Sequence, residues 1–168
     1  EFAKKNRRAV VLGEPGSGKS TLLRYLALRC IESPAEPVAM EQALFEDDGG
    51  PLIPVVVQLA RVPGIRQSED PLSIEKLVQA HLSRFLERQL AADVWPLVEH
   101  GFRTGTTVLF LDGLDEVYEQ RVPIARELDG FFRRYPRARA VISSRPHAEV
   151  ELKDVPCFII KSFSNSEI

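Results

Sequence analysis

Cysteine is scarce. Cys30 and Cys157 are the only two in 168 residues, and they stand far apart with no CxxC spacing. That excludes a framework of several disulfides, though a single bridge between the two stays open, and it leaves no cysteine or histidine pairs at zinc-ligand spacing. Two buried, reduced thiols in a cytoplasmic protein are expected. Long apolar runs are missing as well. The longest, PLIPVVVQLA (51–60), is far short of the ~20 residues that span a bilayer. No membrane span is expected, and no secretory leader, because the first eight residues are polar and basic and the run after them breaks at Gly13. Neither sign of charge dominates. A formal net charge of −2 gives no overall basic field to recruit nucleic acid or an anionic membrane. No internal repeat is visible.

What remains is ordinary globular composition, 44% apolar and 27% charged, at a length suited to one domain. The expectation is a single nucleotide-binding core over 1–168. Glu1-Phe2 at the start and SNSEI at the end read as the edges of a piece of a longer protein.

Short apolar runs alternate with segments of helical period. RAVVLG (8–13) reads as a strand and KSTLLRYLALRCI (19–31) as a helix, with Leu22, Leu23, Leu26, Ala27 and Cys30 on one face. Residues 34–51 read as a loop, with one or two helical turns over AMEQALF (39–45). LIPVVVQLA (52–60) is a second strand, and Pro54 places it at the edge of a sheet. SIEKLVQAHLSRFLERQLA (73–91) reads as one long helix with Ser73 as its N-cap. Its apolar stripe is Ile74, Leu77, Val78, Leu82, Phe85 and Leu86. Trp95, Leu97, Val98 and Phe102 suggest a second, short helix ending at Gly101. A strand over 106–112, a helix over 123–135, and strands over 138–145 and 157–163 complete the pattern. Strands buried on both faces and alternating with helices predict a parallel sheet in a three-layer α/β/α sandwich.

GEPGSGKS (13–20) matches G-x-x-x-x-G-K-[ST], after a strand and opening a helix, as the P-loop requires. Glycines at 13, 16 and 18 allow turns that a Cβ would block. The loop of Gly13, Glu14, Pro15, Gly16, Ser17 and Gly18 is where backbone N–H groups would cradle a phosphate chain, beside the positive end of the following helix. Lys19 is expected to reach the β- and γ-phosphates, Ser20 to ligate Mg²⁺, and Thr21 to touch the α-phosphate.

VLFLDGLDEVYEQ (108–120) then poses a question. A run of four apolar residues meets Asp112, Asp115 and Glu116 within five positions. Bound Mg²⁺ would give these carboxylates their cation. Asp112, at the carboxyl end of a buried strand, is expected to hold Mg²⁺ directly or through water. Asp115 and Glu116 exceed what the ion needs, and one of them can polarise the attacking water. Glu116 is the preferred base with Asp115 its helper; the reverse assignment stays open.

GEPGSGKSTLL, LFLDGLDEV and ISSRP together resemble the NACHT domain of the STAND signal-transduction NTPases, relatives of the AAA+ ATPases, over about residues 7–168. The resemblance implies a five-stranded sheet of order 5-1-4-3-2 and makes Arg145 a sensor of the γ-phosphate. It also implies ATP and ADP as the nucleotides, and a slow ATPase whose nucleotide state controls self-association and effector release in immunity or signalling. Members continue into a helical lid and a winged helix that lie beyond Ile168, and His81, His100 and His147 do not take their place. The adenine pocket is placed around Ala3 to Arg8. ATP rests on the resemblance alone, with weak support from the lack of an Asn-Lys-x-Asp guanine signature.

Three other readings compete. A phosphate-transferring kinase would not need the Asp115–Glu116 pair. A nucleotide-binding interaction module without hydrolysis would not keep every motif residue. A DNA-linked AAA+-like ATPase needs a basic, aromatic-bearing surface, for which only FFRRYPRARA (131–140) qualifies; that stretch could instead lend Arg133, Arg134 or Arg137 to a neighbouring subunit's phosphate.

Overall fold

The apolar runs become five parallel strands. In a computed structural model that describes residues 7–32, 52–65, 72–146, 152 and 155–160, they are β1 (Arg8–Leu12), β2 (Ile53–Gln58), β3 (Thr107–Asp112), β4 (Arg139–Ser144) and β5 (Cys157–Ile159). Their order is β2-β3-β4-β1-β5, every pairing parallel. This is the expected 5-1-4-3-2 order, read from the other edge. β2 is an edge strand, which accommodates Pro54 and its missing N–H donor.

The α-helices among the described residues are α1 (Lys19–Glu32), α2 (Ile74–Phe85), α3 (Arg88–Thr104) and α4 (Arg121–Arg134). Side-chain alternation along β3 divides the core. Val108 and Phe110 face α1, where Leu23, Leu26, Ala27 and Cys30 are buried with Ala9, Val11 and Val141. Leu109 and Leu111 face the other helices, packing with Leu77, Val78, Phe102, Leu128 and Phe131 among others. With both faces covered, every residue of β3 and β4 is buried. Truncating fully buried Phe110 to alanine is therefore expected to cost ~3–5 kcal/mol. No helix among the described residues is long and apolar enough to cross a membrane.

The structure differs from the sequence reading in four places. The long helix over 73–91 is two helices. Ser73 does cap the first, accepting from Lys76 N at 3.3 Å. The chain then turns extended at Leu86 (φ −112°, ψ 149°) and Glu87 (φ −57°, ψ 149°). The break re-aims the chain, so α3 buries Ala91, Val98 and Phe102 while Phe85 is left 63% exposed. No glycine or proline marks it; tertiary packing sets it. Second, α3 runs past Gly101 to a left-handed Gly105 at its C-cap. Gly101 is a packing residue, since a Cβ there would collide with Thr107 Oγ1. Third, the helix expected around Trp95 is not short: it starts at Arg88 and takes in Pro96, whose ring nitrogen cannot donate back to Ala92. Fourth, Cys30 is buried but Cys157 is exposed on the short edge strand β5; neither is in a disulfide. The turns expected over 39–45, strand residues beyond 160, His147 and Ala3 to Asn6 lie outside the described residues.

Candidate functional site

β4 lies between β1 and β3. The carboxyl ends of these three strands therefore bring residues distant in sequence to one edge of the sheet, the edge where open α/β sheets bind ligands.

From β1 comes the loop 13–18, which leads into α1 at Lys19. Gly16 (φ 79°) and Gly18 (φ 90°) take left-handed conformations that strain any side chain. Gly13 has a different reason: a Cβ there would collide with Ser17 Oγ. The Ser17 hydroxyl is buried and has no hydrogen-bond partner. Lys19 Nζ folds over the loop and donates to the carbonyls of Gly13 (2.6 Å) and Glu14 (2.9 Å).

From β3 comes Asp112, 9% exposed. Its Oδ1 accepts from Ser20 Oγ at 3.0 Å and from Ser143 Oγ at 2.7 Å. Ser143 in turn accepts from Gly113 N at 2.8 Å. The chain then turns through Gly113 (φ 83°, ψ 51°) into a 3-10 segment, Leu114–Gln120, anchored by buried Leu114 and Val117. Glu116 is exposed and packs over Gly113, with its carboxyl carbon 3.0 Å from where a Cβ would stand. Asp115 Oδ2 pairs with Arg145 Nε at 2.8 Å, the two side chains 10% and 53% exposed. The segment carries strain at Tyr118, 71% exposed, whose φ of 41° and ψ of −105° are outlying for a bulky residue.

These groups border one cleft of about 370 Å³. Pro15, Gly16, Gly18, Lys19, Ser20 and Thr21 line one side; Asp112, Asp115, Glu116 and Arg145 line the other. Gly13, Glu14 and Ser17 support the loop without lining the cleft. Two lining residues escaped the sequence reading, Gly113 and Ser143. A signal for Ser143 existed: the period of two puts it on the face of Val141, as it puts Asp112 on the face of Phe110, one strand away. Arg133, Arg134 and Arg137 stand at the opposite end of the sheet, where α4 ends and β4 begins; Arg134 pairs with Glu75.

The donors suit a hard cation. A serine hydroxyl and one carboxylate oxygen are the oxygen ligands Mg²⁺ prefers, and Mg²⁺ commonly takes its other ligands from phosphates and water. Among the described residues no group of three or more His, Cys, Asp or Glu side chains could hold a metal.

Fold and loop together define a P-loop nucleotide-binding domain of α/β class. No family model matches the chain. Its curated relatives include three tRNA modification GTPases, each called MnmE. That of Wolbachia sp. subsp. Drosophila simulans (strain wRi) is 36% identical over 90 residues, 52% of this chain and 19% of the relative. Those of Wolbachia sp. subsp. Brugia malayi (strain TRS) and Wolbachia pipientis subsp. Culex pipiens (strain wPip) are 37% and 36% identical over the same extent. The match thus spans about a fifth of each relative's length.

These relatives overturn the NACHT resemblance and the ATP-driven signalling switch inferred from it. The reason is physical. A glycine-rich loop, a lysine and an acidic strand end are what triphosphate chemistry demands of many P-loop proteins, so the motifs that carried the resemblance do not separate one family from another.

Proposed function

We propose that this domain hydrolyses nucleoside triphosphates with Mg²⁺. The observation that carries the reading is the single cleft in which the phosphate loop faces the Ser20–Asp112 pair, Glu116 and Arg145.

Lys19 leaves the Gly13 and Glu14 carbonyls for the β- and γ-phosphates, exchanging two neutral acceptors for anionic oxygens. Ser20 and Asp112 hold Mg²⁺, and Ser143 fixes the Asp112 carboxylate from behind. When bound, the ion neutralises charge on the phosphate chain. Glu116 takes a proton from the attacking water. It is the exposed carboxylate of the cluster, more open to water than Asp112 or Asp115. The loop and Arg145 orient the phosphates for in-line attack.

The curated relatives are named GTPases, and the 168 residues contain no Asn-Lys-x-Asp run. The triphosphate chain is what the loop and cleft address, so Mg-GTP and Mg-ATP are the two substrates to compare. Phosphate release would be measured with Mg-GTP and Mg-ATP for the wild type and for Glu116→Gln. Release with at least one nucleotide, lost in the variant, supports the reading. No release with either nucleotide contradicts it. Release that survives Glu116→Gln and disappears in Asp115→Asn reverses the base assignment.

A further inference from the structure

We infer that Asp115 is a positioning residue that holds Arg145 for the outermost phosphate and thereby makes the cleft distinguish triphosphate from diphosphate. This rests on the triphosphate reading above.

The three carboxylates of the cluster meet different partners. Asp112 accepts from two serine hydroxyls. Glu116 lies exposed over Gly113. Asp115 meets a cation, through a 2.8 Å contact with Arg145 Nε. Its own position is rigid. It sits one residue after buried Leu114 and two before buried Val117, on a turn closed by Glu116 N donating to the Gly113 carbonyl at 3.0 Å. Arg145 follows directly on β4, whose Ser143 is already tied to Asp112. An anchored carboxylate thus grips a half-exposed arginine at the cleft wall.

The atom gripped matters. Nε lies on the stem side of the guanidinium. An arginine held there still presents its terminal nitrogens, the fork that matches phosphate oxygens. Without Asp115 the long side chain would have to be ordered by the phosphate itself, at an entropic cost. Without Arg145 a nearly buried carboxylate would face the incoming phosphate and repel it. The effects of the two residues should therefore not add.

The test is calorimetric titration with Mg²⁺ and slowly hydrolysed GTP and ATP analogues, set against GDP and ADP. The wild type, Asp115→Asn, Arg145→Ala and the double variant would be compared. Asp115→Asn is expected to weaken triphosphate binding about tenfold and leave diphosphate binding unchanged. Arg145→Ala should weaken it more, and the double variant should bind no more weakly than Arg145→Ala. Arg145→Lys checks the geometry by a conservative route. One ammonium cannot grip Asp115 and a phosphate with separate nitrogens, so discrimination should fall despite the retained charge.

Tighter triphosphate binding by Asp115→Asn would make Asp115 a competitor of phosphate and overturn the inference. So would equal losses of di- and triphosphate affinity, which mark a merely structural role, or losses that add in the double variant. A wild-type chain that binds neither nucleotide removes the cleft reading and the inference with it. Normal wild-type binding with unchanged discrimination in Asp115→Asn defeats the inference alone.

Discussion

Both ends of the sheet use cations on backbone carbonyls, but they use them differently. At the amino-terminal end of the strands, Arg8 donates to the carbonyls of Phe132, Tyr135, Pro136 and Ala138 at 3.0–3.4 Å. Its guanidinium lies 4.2 Å from the centre of the Phe132 ring. Arg139, 4% exposed, donates to the Gly105 carbonyl at 2.7 Å. These contacts close the end of α4 and the turn before β3, and none of these residues lines the cleft. Burial, and then the neighbouring Arg7, lower the pKa of Arg8 from its ordinary value. At the carboxyl end, Lys19 and Arg145 also have partners, but both line an open cleft. A ligand can replace or join those partners. The difference shows that the number of cations does not locate a site. What locates it is whether their partners are exchangeable.

If the two ends are separate in this way, damage at one should spare the readout of the other. The largest effect is expected from Glu116→Gln, which should lower turnover by ~10²–10⁴ while leaving the thermal midpoint and nucleotide affinity near wild type. Single-turnover kinetics beside calorimetry would check this. Ser143→Ala removes the hydroxyl that fixes Asp112. It should raise the Mg²⁺ concentration needed for half-maximal nucleotide binding by ~10–100-fold. Arg8→Met acts at the other end. It leaves the carbonyls that close α4 without their charged donor and should cost ~1.5–3 kcal/mol in chemical denaturation, with nucleotide affinity unchanged. A loss of affinity in Arg8→Met would break the comparison.

The smallest effect concerns pH. Burial, then Arg84, lower the pKa of His81 in the folded chain. The unfolded chain therefore takes up this proton first. Stability should be full above pH ~6.5 and fall as the pH drops below it, levelling once the folded histidine is also protonated. His81→Gln should flatten that part of the stability profile, measured as denaturation midpoints between pH 7 and pH 5.

Much of this was legible because local rules and tertiary demands coincide. β3 carries the unbroken apolar run Val108–Leu111 and β4 the shorter run Ala140–Ile142, because both faces of each strand are covered. The phosphate loop was legible from its glycines and lysine because backbone conformation there leaves little choice of residue. The break at Leu86–Glu87 was not, because ordinary helix formers occupy it and the packing of α3 on the sheet decides it. The Asp115–Arg145 pair was equally hidden. Thirty residues separate its members, and only the insertion of β4 beside β3 brings them together. Family identity was the least legible, because the motifs that suggested it answer to phosphate and cation chemistry.

The most direct test of the central claim is calorimetric titration of Mg-GTP and Mg-ATP into the wild-type chain and into Lys19→Ala. The wild type is expected to bind at least one of them at a single site, and Lys19→Ala, folded as the wild type is, to bind it at least about tenfold more weakly. Equal affinity in the two chains would contradict the assignment of the loop as the phosphate cradle.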